Sequence, residues 1–125
     1  MKIEHLAIWV NDLEKMRQFY VRYFGAISNE KYVNTAKGFS SYFLSFAEGP
    51  RLELMHREGR AAVSEELLGL AHFAIALGSE ERVDTLTEQL RSDAIEVVGE
   101  PRTTGDGYYE SVVKDPEGNL VELTV

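Results

Sequence analysis

The segment Ile3–Val10 alternates. Leu6, Ile8 and Val10 take one parity, and His5, Ala7 and Trp9 take the other. Strict alternation predicts a strand with two unlike faces. Beyond it, Leu13, Met16, Phe19, Tyr20 and Phe24 recur at helical spacing. Asn11, with Glu14 three residues on, predicts the helix start as a capping box, and Gly25 predicts its stop. The same order returns in the second half. Leu70–Leu77 alternates in the same way, with His72 on the parity of Ala74 and Ala76. Ser79 predicts the start of a second helix, with Glu80 and Glu81 where the helix dipole favours acids. Val83, Leu86 and Leu90 supply its apolar stripe.

The halves also end alike. The first closes with Ser41–Phe46, a turn at Glu48-Gly49-Pro50, and Arg51–Met55. The second closes with Glu110–Val113, a turn over Asp115–Asn119, and Leu120–Thr124. Leu52-Glu53-Leu54 is answered by Val121-Glu122-Leu123, at nearly the same offset as the two histidines. The pattern predicts an α+β fold of two βαβββ modules, about residues 1–57 and 69–125, within one domain spanning 1–125. The sheet is expected to be mixed and curved, with the helices on its convex side. Between the modules a linker is expected, with a short helix through Ser64–Leu68. A module of this size buries little core alone, so the two must pack together or across a dimer.

Composition narrows the partners. Thirteen basic against 21 acidic residues leave a net charge of −8. An acidic surface repels phosphate backbones and anionic membranes, so neither nucleic acid nor membrane is expected as a partner. There is no Cys, which removes disulfides, thiolate metal sites and cysteine nucleophiles. No long apolar run predicts a membrane span, and Met1–His5 carries no signal-peptide core, so a cytoplasmic location is expected.

Four residues carry the candidate chemistry. His5, Glu53, His72 and Glu122 fall opposite the bulky aliphatic parity of their strands, beside small Ala neighbours that leave room for a ligand. Imidazole nitrogen and carboxylate oxygen suit zinc, nickel, cobalt, manganese or iron. Such an ion acts as a Lewis acid, and one carboxylate can double as a base. A lone strand His is usually just a half-exposed side chain, and a Glu between leucines is usually the wet face of a sheet. Recurrence of both types at both equivalent places favours ligation.

Other residues read two ways. Trp9 shares His5's face, and Phe43 precedes the Glu53 strand; both either wall a cavity or pack the sheet. Arg51 and Met55 share Glu53's face, and Arg51 pairs either with an anionic substrate or with a nearby carboxylate. His56 and Arg57, at the strand's end, are expected to be solvated. The glycine-rich stretch Thr103–Tyr109, which includes Tyr108, is either a mobile lid over a substrate or an ordinary turn with core tyrosines. No nucleophile elbow or Ser-His-Asp pattern is present.

At this point the residues resemble the vicinal oxygen chelate superfamily, which includes glyoxalase I, bleomycin-resistance proteins, fosfomycin-resistance transferases and extradiol dioxygenases. The resemblance runs from His5-Leu6-Ala7-Ile8-Trp9-Val10 with Asp12-Leu13 to Asp115-Pro116-Glu117-Gly118-Asn119-Leu120-Val121-Glu122. It implies paired βαβββ modules forming a single glyoxalase-like domain around one divalent metal. It further implies a homodimer in which each site takes one module from each chain. By position, His5, Glu53, His72 and Glu122 match the four ligand positions of glyoxalase I, with Glu122 as the base and Glu53 its counterpart. The implied activity is a metal-dependent lyase or isomerase acting on a small substrate chelated through adjacent oxygens. Nickel, zinc, cobalt or manganese would serve. The alternatives are an extradiol-type dioxygenase, with iron on His5, His72 and Glu122, and a non-catalytic protein binding a bleomycin-type drug. The sequence ends three residues after Glu122, without the C-terminal extension many glyoxalase I enzymes carry. No early basic residue matches the glutathione carboxylates, so the thiol is left open.

Overall fold

Alternation becomes strand, and the 3.6-residue period becomes helix, in both halves of the chain. The computed structural model describes residues 3–59, 70–105 and 107–125. They fall into two compact units, Met1–Val63 and Ser64–Val125. The first runs β1 (His5–Trp9), α1 (Leu13–Phe24), β2 (Ile27–Ser28), β3 (Tyr32–Asn34), a 3-10 turn (Thr35–Lys37), β4 (Phe39–Ser45) and β5 (Arg51–Arg57). The second runs β6 (Phe73–Ala76), α2 (Glu80–Ser92), β7 (Val97–Thr103), β8 (Tyr109–Lys114) and β9 (Leu120–Thr124). The expected linker helix through Ser64–Leu68 lies outside the described residues.

Each unit builds its own mixed sheet, and the strand orders correspond. The first is β1-β5-β4-β2, with β3 also paired to β4; the second is β6-β9-β8-β7. In both, the first strand runs parallel to the last, and the remaining pairs are antiparallel. This is the βαβββ module twice, with β3 as a short addition to the first copy. Among the described residues, no helix is long and apolar enough to cross a membrane.

In the first unit, α1 lies across β4 and β5. Leu13, Met16, Phe19 and Tyr20 bury its inner face, and Tyr42, Leu44, Leu52 and Leu54 meet it from the sheet. Each fully buried aliphatic side chain contributes roughly 1.5–3 kcal/mol. The helix start falls one residue later than expected: Asp12, not Asn11, is the cap, its carboxylate accepting the Lys15 N–H at 2.9 Å. Both residue types cap well, so the local sequence did not decide between them. Gly25 closes the helix at φ +63°, a conformation a β-carbon disfavours.

In the second unit, α2 lies across β7, β8 and β9. Ser79 caps it as expected. Its buried stripe is Val83, Thr87 and Leu90, with Leu86 only half-buried. Thr87 keeps its place in the core by donating to the Val83 carbonyl at 2.6 Å and meeting the Ser111 hydroxyl at 2.7 Å. Two hydroxyls that satisfy each other remove most of the cost of burial.

The helices fix which sheet face is left for chemistry. Along β5 and β9, every second residue (Leu52 and Leu54; Val121 and Leu123) is buried, and Glu53 and Glu122 stand between them on the opposite face.

Candidate metal centre

Parallel pairing brings each histidine to its glutamate. In the first unit Ala7 stands opposite Glu53. In the second Ala74 stands opposite Glu122. Each histidine precedes its alanine by two residues, so both sit at the same place relative to their glutamate; His72 lies just before β6. His5 Nε2 is 4.0 Å from Glu53 Oε2, and His72 Nε2 is 3.4 Å from Glu122 Oε2. The glutamates are largely covered, with side chains 15% and 18% exposed, whereas the histidines are open. Phe43 and Val112 occupy equivalent places opposite the two glutamates on the third strand of each sheet.

The donor set fits a divalent transition ion. Two ligands held about 2.1 Å from one ion stand roughly 3.0–3.4 Å apart at octahedral to tetrahedral angles. The His72–Glu122 pair already has that spacing, and the His5–Glu53 pair is slightly wider. Both separations exceed a normal hydrogen bond. No group of three or more His, Cys, Asp or Glu able to hold an ion occurs among the described residues. Each unit holds one such histidine–glutamate pair.

His5 is held by residues the alternation did not single out. Its Nδ1 lies 2.5 Å from Glu4 Oε2. Arg51 donates from Nε to the other oxygen of Glu4 at 2.7 Å and pairs with it through Nη2 as well. The Arg51 guanidinium lies 4.2 Å over the Phe43 ring, and Phe43 meets the His5 ring edge-to-face at 5.4 Å. The His5 hydrogen bond, with Arg51 adding to it against a smaller effect of burial, holds the Glu4 carboxyl below its ordinary range. Arg51 thus meets a nearby carboxylate, one of the two partners expected for it. Register explains the contact: Arg51 stands opposite His5, which puts it within reach of Glu4.

The remaining candidates are spread over the two units. Trp9 lies on His5's face at the far end of β1, with Phe39 at 6.2 Å and the Arg57 guanidinium 5.7 Å above its ring. Arg57 is thus stacked on aromatic rings while exposed to solvent. His56 corrects the expectation of a solvated end. It shares the parity of Leu52 and Leu54, is half-buried, and bonds through Nδ1 to the Val10 carbonyl at 2.9 Å. Tyr108 is exposed at the β7–β8 turn. There Thr104 and Tyr108 are bonded backbone to backbone at 2.8 Å, and the Thr104 hydroxyl accepts the Tyr108 N–H at 3.0 Å. Asp106, in the same turn, lies outside the described residues.

Glu122 is placed by the turn before it. Asp115 is buried, and its carboxylate accepts the N–H groups of Glu117 and Asn119 and the Asn119 side-chain amide, all at 2.8–3.0 Å. Gly118, at φ +87°, returns its N–H to the Asp115 carbonyl at 3.0 Å. The Asp-Pro-Glu-Gly-Asn stretch is thus a self-bonded loop that sets the β8–β9 register and, with it, Val112 opposite Glu122.

Comparison with known proteins agrees with the fold. Residues 2–123 match the family model described as Glyoxalase/Bleomycin resistance protein/Dioxygenase superfamily. The uncharacterized protein YqjT of Bacillus subtilis is 28% identical over 130 residues, covering 97% of this chain and 96% of that protein. A probable lactoylglutathione lyase of Vibrio cholerae is 29% identical over 126 residues, covering 98% and 88%. The crystal structure of glyoxalase I from Zea mays superposes with a TM-score of 0.78 at 26% identity. That match covers 98% of this chain but only 44% of the maize chain.

Proposed function

We propose that the chain, which belongs to the glyoxalase/bleomycin resistance protein/dioxygenase superfamily over residues 2–123, is a metal-dependent lyase or isomerase of the glyoxalase I kind. One observation carries the reading: a His–Glu pair recurs at the same register in both units, on the face away from the helix. In this reading His5, Glu53, His72 and Glu122 hold one nickel, zinc, cobalt or manganese ion between two modules. The site is completed in a homodimer, one module from each chain. When bound, the ion supplies Lewis acidity toward two adjacent oxygens of a small substrate.

The chain's own residues then move the proton. Glu122 takes it from the carbon bearing the hydroxyl and thioether and returns it to the neighbouring carbonyl carbon, while the hydroxyl proton passes to the former carbonyl oxygen, so the substrate becomes a 2-hydroxy thioester with no change in composition. Glu53 is its counterpart in the other module. Phe43 stands opposite Glu53 as an apolar wall, and Trp9 and Tyr108 are the proposed aromatic contacts for a substrate. Arg51 acts through Glu4. The name of the Vibrio cholerae relative directs the substrate proposal to the hemithioacetal of methylglyoxal with a thiol.

The test is Glu122→Gln, assayed by the ultraviolet absorbance change on hemithioacetal conversion. Losing a positioned base costs about 10²–10⁴-fold in turnover. The expected result is a loss of that size with an unchanged melting temperature of the metal-free protein. Activity within a few-fold of the parent would remove Glu122 as the base.

A further inference from the structure

The two halves of the candidate site are not equivalent around their histidines. In the first unit, Glu4 precedes His5 and bonds its Nδ1, and Arg51 holds Glu4 from the adjacent strand. In the second, Ala71 stands where Glu4 does, and Leu120 stands where Arg51 does. Phe43, which carries Arg51 on its face, is matched by Val112. So the carboxylate, the guanidinium and the aromatic platform are all confined to the first module.

We infer that Glu4, locked by Arg51 on Phe43, is a positioning residue that fixes the tautomer and orientation of His5 for metal binding. The inference rests on the metal-site reading above. A neutral imidazole has one protonated nitrogen, and a carboxylate on Nδ1 keeps the proton there. Nε2 is then left with its lone pair, and Nε2 is the atom on the Glu53 side. Glu4 alone is an exposed side chain with many rotamers, and holding it costs conformational entropy. Arg51 reduces that freedom by gripping the oxygen that His5 does not use, and the Phe43 ring restrains Arg51 in turn. His72 reaches Glu122 without such a device among the described residues, and its pair is the closer one. Module one thus supplies a ligand oriented before the ion arrives.

Two measurements test this, neither using turnover. The first is cobalt affinity, by competition with a chromophoric chelator, for the parent, Glu4→Gln, His5→Ala and the double variant. Loss of an outer-shell partner costs about 10–100-fold in metal affinity. Glu4→Gln is expected to weaken binding by that factor in the parent and to change nothing once His5 is Ala. The second is the long-range proton–nitrogen correlation spectrum of the imidazoles in the metal-free protein, in buffer basic enough to keep them neutral. His5 is expected to carry its proton on Nδ1 in the parent and to shift toward the Nε2-protonated form in Glu4→Gln. Unchanged affinity in Glu4→Gln, an equal loss in the His5→Ala background, or an Nε2-protonated His5 in the parent each overturns the positioning role. If the parent binds no cobalt, the metal reading falls and takes this inference with it. If His5→Ala loses cobalt while Glu4→Gln keeps it, only the positioning role falls.

Discussion

Replacing Asp115 by Ala removes the hub of the β8–β9 loop. The Asp115 residue is 4% exposed, and its carboxylate accepts three hydrogen bonds. Bonds to a charged group contribute roughly 1.5–3 kcal/mol each, so their simple sum is several kcal/mol. Two terms reduce it. The donors on Glu117 and Asn119 are half-exposed and regain water when the carboxylate is gone, and the folded state no longer has to desolvate a charge. The expected loss is about 2–4 kcal/mol of unfolding free energy, with Asp115→Asn, which keeps one acceptor oxygen, falling between variant and parent. Urea denaturation followed by circular dichroism measures it. Cobalt affinity should fall with it, because the loop sets the strand that carries Glu122. A loss below about 1 kcal/mol for Asp115→Ala would show that the loop does not depend on this carboxylate.

The buried Thr87–Ser111 pair makes a second prediction. Thr87→Val leaves the Ser111 hydroxyl without its partner and should cost about 1–3 kcal/mol, whereas adding Ser111→Ala should recover part of that loss; additive losses in denaturation would contradict the pairing. Glu14 gives a pH signature. Burial works to raise its carboxyl, but hydrogen bonds from Lys31 and Tyr42, with the charges of Lys31 and Arg17, outweigh it and hold the group below its reference value of 4.5. A carboxyl lowered on folding stabilises fully above 4.5 and loses that contribution as pH falls through its folded value. Thermal melts of the parent and Glu14→Gln should therefore differ at neutral pH and converge in acid; a gap that widens in acid would reverse the sign.

The parity of a few short segments carried most of the fold. Leu52-Glu53-Leu54 and Val121-Glu122-Leu123 read as strands with one acid facing away from the core, and the structure keeps that arrangement. His5 and His72 were readable as equivalents for the same reason. Contacts that depend on which strands become neighbours were not readable. Glu4 reaches Arg51 only because β1 runs parallel to β5, and nothing local encodes that pairing. Thr87 and Ser111 look like wet positions one at a time and become core only as a pair. His56 is different: its parity with Leu52 and Leu54 already marked it as inward-facing. β2 was expected only from the module's strand count and β3 not at all, because two or three residues make no pattern.

The most direct measurement is the metal content of the untagged protein by mass spectrometry, beside His72→Ala. About one divalent transition ion is expected for each set of two histidines and two glutamates, lost in the variant while the fold is kept. A parent protein that carries no metal and gains no thermal stability from added nickel, zinc, cobalt or manganese would contradict it.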